Sequence, residues 1–349
     1  MHKDNLYMKR CLQLAALGAG KVAPNPMVGS VLVYRDRIIG EGYHEVYGQA
    51  HAEVNCLNSV KEEDRVYIPD STLYVSLEPC AHYGKTPPCA DLIIRSGIRK
   101  VVIAIRDPFD AVDGKGIEKL QQAGVEVVLG VEQEAARELN KRFLQFHETH
   151  RPYIILKWAE SVNGAIATKD KKPASISSAQ TNLLVHQWRA EEAAILVGAT
   201  TALMDDPSLT VRLVAGINPV RLLIDPELKV PRTNRLFSAE APTVIYNYHQ
   251  AGKEEGIEWV QLDRQTPLLD QLLQDVYQRK LLSILVEGGT KTHQEFMTAG
   301  YWNEIRRIQS RTVVLDGGYP APIITDAREV KNFCLGTDRL IYYQTLSPR

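Results

Sequence analysis

Apolar and polar residues along the first part of the chain switch repeatedly between helical and strand periodicity. The opening segment, MHKDNLYMKRCLQLAAL, has the apolar spacing of an amphipathic helix. The stretch VGSVLVYRDRIIGEGYH predicts a β-hairpin that turns at Arg35 and Asp36. The short apolar runs TLYVSL, KVVIAI and VEVVLG predict strands, and helices are predicted near residues 50–60, over CADLIIRSGI and over GIEKLQQAG. This alternation indicates a layered α/β domain whose sheet is at least partly parallel.

The pattern then reaches a domain boundary. A single helix is predicted over QEAARELNKRFLQFHE, and Pro152 favours a break after it. The expected domains are residues 1–147 and 148–349. The second repeats the α/β alternation, with strands predicted at PYIILKWA, AILVG, VRLLID, TVIYN and SILVEGG. The two halves do not resemble each other, so the sequence predicts a fusion of two different domains.

Composition narrows the class of protein. With 44% hydrophobic and 24% charged residues, the chain has the make-up of a soluble globular protein. Its formal net charge of -1 gives no electrostatic reason to expect a nucleic-acid or membrane partner. It has no apolar run of the length found in a signal peptide or a membrane span. Its 5 cysteines do not suggest a disulfide framework, so we expect reduced thiols and a cytoplasmic location.

His51, Cys80 and Cys89 are the candidate metal ligands of the first domain. Catalytic zinc usually has three protein ligands of these types and an open position for water. Cys89 opens a predicted helix, whose dipole favours a thiolate. Glu53, two residues after His51, is placed to carry protons beside the metal. His-x-Glu followed by Pro-Cys and a later Cys is typical of zinc deaminases, although the second Cys here follows nine residues after the first rather than three.

Two other interpretations of these residues stay open at this point. Two cysteines nine positions apart in a cytosolic protein are often ordinary thiols. A structural zinc is the other possibility, but it normally needs four protein ligands. The nearest spare thiol is Cys56, one helical turn beyond Glu53.

Three segments, PNPMVGSVLV, HAEVNCL and PCAHYGKTPPC, closely resemble the deaminase half of the bifunctional riboflavin-biosynthesis enzymes. A long insert between the two cysteines is normal in that family. The resemblance covers the whole chain, strongly over residues 7–130 and more loosely afterwards. It implies a cytidine-deaminase-like three-layer α/β/α domain followed by a dihydrofolate-reductase-like α/β domain. It also implies two reactions: hydrolytic deamination of a diamino-phosphoribosylaminopyrimidinone with zinc, then reduction of the ribosyl group to ribityl with NADPH.

The resemblance assigns roles to residues of the first domain. It implies that His51, Cys80 and Cys89 bind zinc and that Glu53 is the catalytic proton carrier. Other roles compete for three of the remaining residues: Asn25 lies between two prolines that can shape a turn, His44 can simply end a strand, and Lys85, beside Gly84, can be a solvated loop charge. The residues expected to hold the pyrimidine and the ribose phosphate are Asn25, His44, His82 and Lys85.

The second domain has neither a zinc motif nor a Gly-x-Gly-x-x-Gly fingerprint. Gly288 and Gly289, after a predicted strand, suit a cofactor phosphate or a plain strand-to-helix turn. Arg189 and Arg212 suit a substrate phosphate, although each judged singly can be an ordinary surface arginine. The segments KWAESVNGAIAT, ATTALMDDPSLTVR and LVEGG resemble the reductase half of the family. The resemblance implies NADPH contacts at Ala159, Ser175, Thr201, Asp205 and Gly289, and substrate contacts at Arg189, Leu209, Arg212 and Glu287.

Two stretches of the second domain depart from the family pattern. Residues 162–165 read Val-Asn-Gly-Ala where Leu-Asp-Gly-Arg is common, and Ser175 stands where a Trp is usual. These departures motivate an alternative, a deaminase whose second domain is degenerate and does not reduce.

Further alternatives differ in what they predict. A nucleic-acid deaminase needs a basic, aromatic-rich surface, which 7% aromatic residues and a charge of -1 do not favour. A zinc-stabilised interaction module predicts that Glu53 has no chemical role. For the favoured enzyme, the resemblance implies a homodimer formed through the second domain.

Overall fold

The computed structural model describes residues 2–81, 87–169 and 175–346. The chain divides into two compact units, Met1–His150 and Arg151–Arg349. None of the helices in these described ranges is long and apolar enough to cross a membrane.

The first unit is built on a sheet of five described strands, with the order β2-β1-β3-β4-β5. Strand β1 is antiparallel to β2 and β3, whereas β3, β4 and β5 are parallel. The strands are β1 (Gly29–Tyr34), β2 (Arg37–Tyr43), β3 (Thr72–Val75), β4 (Lys100–Ile103) and β5 (Glu126–Leu129). The helices are α1 (His2–Ala16), α2 (Ala52–Asn58), α3 (Cys89–Arg95), α4 (Lys115–Gln122), α5 (Gln133–Leu139) and α6 (Lys141–Thr149), and a 3-10 helix covers Glu62–Asp70.

The local sequence explains most of these elements. Arg35 and Asp36 both adopt positive φ, 45° and 68°, which gives the turn the twist that a tight hairpin requires. Strands β3 and β4 are almost continuously apolar, and three consecutive residues of each are buried. Strands of this kind have both faces covered, as in a sheet between two layers of helices. The expected layered α/β arrangement is therefore present.

The helix predicted over residues 133–148 is interrupted, so the prediction of one helix was wrong. Helix α5 ends at Leu139 and α6 begins at Lys141. Asn140 lies between them with φ -101° and ψ 19°. Its side chain bonds to the backbone of Met27, more than 100 residues away. A tertiary contact of this kind overrides the local helical pattern.

The second unit contains a sheet of ten described strands in the order β11-β12-β10-β9-β8-β13-β6-β14-β17-β16. The strands β12, β10, β9, β8, β13, β6 and β14, which are neighbours in this order, run parallel to one another. Strand β11 at one end and strands β17 and β16 at the other pair antiparallel with their neighbours. The strands are β6 (Tyr153–Glu160), β7 (Ala165–Ala167), β8 (Ala194–Gly198), β9 (Val220–Ile224), β10 (Thr243–Asn247), β11 (Gly252–Glu254), β12 (Ile257–Gln261), β13 (Ser283–Val286), β14 (Glu304–Ser310), β15 (Tyr319–Pro320), β16 (Ala327–Leu335) and β17 (Asp338–Thr345). The helices are α7 (Ala179–Glu191), α8 (Ala199–Asp205), α9 (Leu268–Gln278) and α10 (Thr290–Ala299), with a 3-10 helix at Arg235–Phe237; β7 pairs with β15.

Alternate residues of the central strands feed two apolar clusters. Leu196 of β8 and Val286 of β13 belong to one, and Ile195 and Leu285 belong to the other. The sheet therefore carries apolar packing on both faces, as parallel sheets require. Leu196 and Val286 are partners in the ladder, so the carboxyl ends of β8 and β13 lie side by side. The polar turn residues that follow these two strands are brought to the same edge.

Candidate active sites

The first unit brings three loops together at one edge of its sheet. Gly29, which opens β1, pairs with Tyr43 at the end of β2. Ser30 pairs with Val75 at the end of β3. The segment before β1, the residue after β2 and the loop after β3 are therefore neighbours. These segments carry Asn25, His44 and Cys80.

His51, Cys80 and Cys89 form a cluster whose possible ligand atoms all lie within 4.8 Å of one another. The Nδ1 atom of His51 is 3.6 Å from the Cys80 sulfur and 3.4 Å from the Cys89 sulfur. His51 immediately precedes α2, and Cys89 is the first residue of α3. One imidazole and two thiols at this spacing fit a zinc ion with three protein ligands and an open position.

Hydrogen bonds favour a thiolate at Cys80. The Cys89 thiol donates to the Cys80 sulfur and, with the nearby His51, lowers the pKa of Cys80. The Cys89 backbone N–H also donates to this sulfur, at 3.3 Å. The same thiol-to-thiolate bond, together with burial, raises the pKa of Cys89. The cluster therefore holds one negative sulfur beside an imidazole, which suits a divalent cation.

Glu53 lies in the first turn of α2, only 3% exposed. Burial, assisted by the neighbouring Cys80 charge, raises the pKa of Glu53 to about 7. A carboxyl group with a pKa near neutrality can both accept and release a proton. Its burial beside the cluster fits the proton-carrying role expected from the sequence.

Cys56 is not part of the cluster. It is completely buried among apolar side chains of the first unit, and burial raises the pKa of its thiol to about 12. Among the described residues, the group of His, Cys, Asp and Glu with metal-binding spacing consists of His51, Cys80 and Cys89. The described residues therefore do not form the four-ligand structural site.

Asn25 and His44 lie beside the same cluster. The His44 ring is edge-on to the His51 ring, with centroids 5.6 Å apart. Its Nδ1 is 3.0 Å from the carbonyl oxygen of Ala50, and its Nε2 is 3.1 Å from the amide nitrogen of Asn25. Nδ1 must donate to the carbonyl, so Nε2 accepts from Asn25 and the ring is neutral. Burial, which lowers the pKa of His44, agrees with this assignment. His82 and Lys85 lie outside the described residues.

Glu78 holds the Cys80 loop in place, a role that the sequence reasoning missed. Its buried carboxylate accepts hydrogen bonds from four backbone N–H groups at 2.9 to 3.2 Å. Two of these donors, Gly116 and Ile117, lie in the first turn of α4. Asp107, another of them, is itself buried after β4, and burial raises the pKa of its carboxyl group to about 7. The feature of the sequence that could have identified Glu78 is its position as an acidic residue between an apolar strand and Pro-Cys. The four donors are Asp107, Gly114, Gly116 and Ile117.

The second unit buries an ion cluster of Lys157, Arg189 and Glu287. Arg189 contacts the Glu287 carboxylate through Nε at 2.8 Å and through Nη2 at 2.9 Å, and Lys157 Nζ lies 3.4 Å from it. Although burial alone raises the pKa of Glu287, the two cations lower it well below its usual range. Burial lowers the pKa of Lys157. Lys157 was not identified from the sequence, because within β6 it reads as one polar position in an apolar strand.

The residues around Arg212 present several donors to the same region. Its guanidinium contacts the hydroxyl groups of Ser208 and, at 2.9 Å, Thr210. The Arg212 backbone N–H donates to Nδ1 of His186 at 3.0 Å, so the proton of the neutral ring lies on Nε2. Burial and the nearby Arg189 and Arg212 charges lower the pKa of His186 to about 4. His186 is a second residue that the sequence reasoning missed.

Leu209 has an unusual backbone for its residue type. Its φ is +52°, and its side chain is buried in the apolar core. Strained backbone of this kind often marks a functional loop. The side chain is thus committed to the core, which leaves the backbone as the part of Leu209 able to meet a substrate.

The turn after β13 is shaped for an extended anionic ligand. A Cβ atom at Gly288 would lie 2.7 Å from the Cα of Val197, and Gly289 has φ +55°. Thr201 of α8 approaches the same turn, because its Oγ1 would lie 3.2 Å from a Cβ at Gly289. Gly289 precedes α10, whose first backbone N–H groups point out of the helix. This cradle fits the pyrophosphate of a dinucleotide such as NADPH.

The other predicted cofactor residues are more dispersed. Asp205 is the last residue of α8, and burial raises the pKa of its carboxyl group. Ala159 lies in β6 opposite Ile308 of β14. Ser175 is exposed and begins the described range 175–346.

Asn163, at the position of the family's Asp, joins two loops. Its side-chain nitrogen donates to the Leu315 carbonyl at 3.0 Å. Its side-chain oxygen accepts from Ser161 and from the Leu315 N–H, at 2.6 and 3.1 Å. The uncharged amide therefore has a structural use that a carboxylate, which cannot donate, would not fill.

Two family models match the chain in sequence. The "cytidine and deoxycytidylate deaminase zinc-binding region" matches residues 1–105. The "RibD C-terminal domain" matches residues 152–336. The cytidine-deaminase-like and dihydrofolate-reductase-like folds expected from the sequence are confirmed.

The chain is also similar to curated proteins and solved structures over almost its whole length. It is 42% identical to riboflavin biosynthesis protein RibD of Aquifex aeolicus, over 86% of this chain and 85% of that protein. The corresponding protein of Bacillus amyloliquefaciens is 40% identical, over 91% of this chain and 87% of its own. The crystal structure of a diaminohydroxyphosphoribosylaminopyrimidine deaminase/5-amino-6-(5-phosphoribosylamino)uracil reductase from Thermotoga maritima superposes with a TM-score of 0.90 at 34% identity, covering 99% of each chain. RibD of Acinetobacter baumannii gives a TM-score of 0.89 at 30% identity, over 98% of this chain and 99% of that one.

Proposed function

This chain belongs to the RibD family of bifunctional riboflavin-biosynthesis enzymes, and on that premise we propose how its residues divide the two reactions. The chain is a zinc-dependent deaminase and an NADPH-dependent reductase that acts on a small molecule of the riboflavin pathway. We assign deamination to the first domain, residues 1–147, and reduction to the second, residues 148–349.

His51, Cys80 and Cys89 are the proposed zinc ligands. The single observation that carries this assignment is that their ligand atoms lie within 4.8 Å of one another, next to buried Glu53. Bound zinc lowers the pKa of a water molecule to about 7. Glu53 takes the two protons of the attacking water in turn, and delivers the first to the ring nitrogen and the second to the departing amino group. A C–O bond forms, the C–N bond breaks and ammonia leaves.

The pyrimidine is proposed to lie against Asn25 and His44. Because the Asn25 amide nitrogen donates to His44, its carbonyl oxygen is oriented as an acceptor for a ring N–H or amino group. Neutral His44 thus acts mainly by fixing the orientation of Asn25. His82 and Lys85, between the two cysteines in sequence, are proposed to contact the ribose phosphate.

Reduction is proposed to occur beside the buried ion cluster. Arg189 and Arg212 bind the substrate phosphate, aided by the hydroxyl groups near Arg212. Glu287 holds Arg189 and contacts the substrate, and the backbone at Leu209 completes this subsite. When C1 of the open-chain sugar accepts the hydride that NADPH supplies, the attached nitrogen must gain a proton. Lys157, whose pKa is lowered by burial, is the proposed donor.

The cofactor is proposed to lie along the carboxyl edge of the large sheet. Its phosphates face the turn at Gly289, with Thr201 and Asp205 on the α8 side. Ala159 and Ser175 are proposed to border it further along. The intact ion cluster and glycine turn favour an active reductase over the degenerate alternative.

Assembly and location are further parts of the proposal. We expect a homodimer formed through the second domain, in the cytoplasm, with no nucleic-acid partner. The net charge of -1 supports the last point, because nucleic-acid binding draws on an excess of positive charge. Light scattering on the purified chain distinguishes a dimer from a monomer.

The test supplies purified, zinc-loaded protein with the diaminopyrimidinone ribotide and follows ammonia and NADPH together. We expect one ammonia released and one NADPH consumed per substrate. Ammonia without NADPH loss would instead establish the degenerate-reductase alternative. The absence of both ammonia release and NADPH loss would contradict the proposed function.

A further inference from the structure

Asn140 makes two hydrogen bonds to a single residue at the deaminase site. Its side-chain oxygen accepts from the Met27 N–H at 2.9 Å, and its side-chain nitrogen donates to the Met27 carbonyl at 2.9 Å. Asn140 is only 3% exposed. The buried side-chain amide thus satisfies both the N–H and the C=O of Met27, as the backbone of a neighbouring β-strand would.

Met27 needs such a partner because it lies outside the sheet. The ladder between β1 and β2 begins at Gly29, two residues later. In the described part of the chain, the Met27 N–H and C=O form their hydrogen bonds with Asn140. The position of the segment before β1 therefore depends on the junction between α5 and α6.

That segment carries the pyrimidine-facing residue of the site. Asn25, two residues before Met27, bonds through its side-chain nitrogen to His44 at 3.1 Å. The His44 backbone N–H bonds to the Val28 carbonyl at 2.9 Å, on the other side of Met27. A shift of Met27 would therefore move Asn25 relative to His44.

We propose that Asn140 is a positioning residue for substrate binding in the deaminase reaction, acting through Met27 on Asn25. This inference rests on the proposed contact between Asn25 and the pyrimidine. The match to the cytidine-deaminase zinc-binding region ends at residue 105, whereas Asn140 lies between the last two helices of the first unit. The junction between α5 and α6 thus supports the pyrimidine site through the Met27 backbone.

A double-mutant cycle with Asn140→Asp and Asn25→Ala tests the proposal in the full zinc-loaded chain. Aspartate keeps the acceptor for the Met27 N–H but places a second oxygen against the Met27 carbonyl. We expect the KM for ammonia release to rise by about tenfold with kcat nearly unchanged, as for lost hydrogen bonds that hold substrate. In the Asn25→Ala background, Asn140→Asp should add little, because its route to the substrate is already removed.

Several outcomes would overturn the proposal. One is an unchanged KM in Asn140→Asp. Another is a double variant whose KM rises by the product of the two single-variant factors, because the two residues would then act independently. If Asn140→Asp does not fold, Asn140→Ala removes both hydrogen bonds without adding a charge and enters the same cycle. If the wild-type chain releases no ammonia, the proposed function falls and this inference falls with it. A fault in the Asn140 inference alone leaves wild-type ammonia release intact.

Asn247→Asp is the matched control, since Asn247 is also buried and bonded to backbone, but in the second unit. It should leave the KM for ammonia release unchanged. In Asn140→Asp, NADPH oxidation with the pre-deaminated substrate should keep its wild-type rate. A fall in both rates would indicate a general loss of folding in Asn140→Asp, and Asn140→Ala would then take its place; a fall in both rates in Asn140→Ala as well would contradict the proposal.

Discussion

The two sites hold buried carboxyl groups in opposite charge states, because their charged neighbours differ. Among the described residues no lysine or arginine pairs with buried Glu53, and burial raises its pKa to about 7. Glu287 is buried against Arg189 and Lys157, and its pKa falls well below the usual range. The first carboxyl group can exchange protons at neutral pH, whereas the second stays ionised. Each state suits the proposed role of its residue.

Replacing Lys157 tests its proposed role as proton donor. Lys157→Met removes the ammonium group but keeps a long side chain. We expect the kcat for NADPH oxidation to fall by at least about 100-fold, the usual contribution of a positioned acid. The assay uses pre-deaminated substrate, so the first reaction has no influence. Lys253→Met, at an exposed lysine of β11, should have no effect, and an equal loss in both variants would refute the assignment.

His186 gives a pH dependence whose sign follows from its environment. Its pKa is lowered from 6.5 to about 4, so between these values the unfolded chain binds a proton that the folded chain does not. The contribution of the neutral His186 ring to the free energy of unfolding is fully present above pH 6.5 and is lost as the pH falls towards 4. Calorimetric unfolding should show a shallower loss over this range in His186→Gln than in the wild type. Identical pH profiles would show that His186 has no part in it.

Sequence periodicity predicted the helices and strands better than it predicted the breaks and tertiary contacts between them. Apolar runs such as TLYVSL identified buried strands, because a run this short is typical of a strand and too short for most helices. The ends of those strands then placed Cys80 and Gly289 at sheet edges. The break between α5 and α6 was missed, since its cause is the distant Met27 backbone. Glu78 was missed for the same reason, as its four donors belong to a later loop and helix.

The start of α4 packs directly against the loop that leads to Cys80, which makes Gly116 critical. A Cβ atom at Gly116 would overlap the Pro79 carbonyl oxygen. We expect Gly116→Ala to cost about 1–3 kcal/mol of stability. Because the Cys80 loop must shift, zinc affinity should also fall by about 10- to 100-fold.

Gly124, just beyond the same helix, provides the control for this prediction. It has φ +81°, and no atom lies within 4 Å of the position that a Cβ would take, so Gly124→Ala strains the backbone without a clash. It should cost about 1–2 kcal/mol and leave zinc affinity unchanged. Zinc competition with a chromophoric chelator measures both variants. Equal zinc affinity in the two would contradict the proposed packing role of Gly116.

At the scale of the whole molecule, a motif and the family resemblance indicated the two chemistries, whereas the folded geometry revealed their supporting residues. The spacing of His51, Cys80 and Cys89, together with the family resemblance, was enough to expect a zinc deaminase. The reductase half depended far more on the resemblance. Lys157 and His186 carry no motif and become visible only when β6 and α7 are folded against Glu287 and Arg212. Such contacts join residues far apart in sequence, and no local pattern encodes them.

Removal of zinc should separate the two activities. We expect a chelator to abolish ammonia release while NADPH oxidation with pre-deaminated substrate continues, since the proposed ligands all belong to the first unit. Added zinc should restore ammonia release. Parallel loss of both activities would contradict the assignment of one reaction to each unit.

The most direct test of the division of the two reactions between the two domains is an assay of Glu53→Gln with each of the two substrates in turn. With the diaminopyrimidinone ribotide, we expect ammonia release to fall by at least about 100-fold, and NADPH consumption to fall with it for lack of substrate. With the pre-deaminated ribotide, NADPH consumption should match the wild type. Persistent ammonia release, or a lost second reaction, would contradict the division of labour described for this chain.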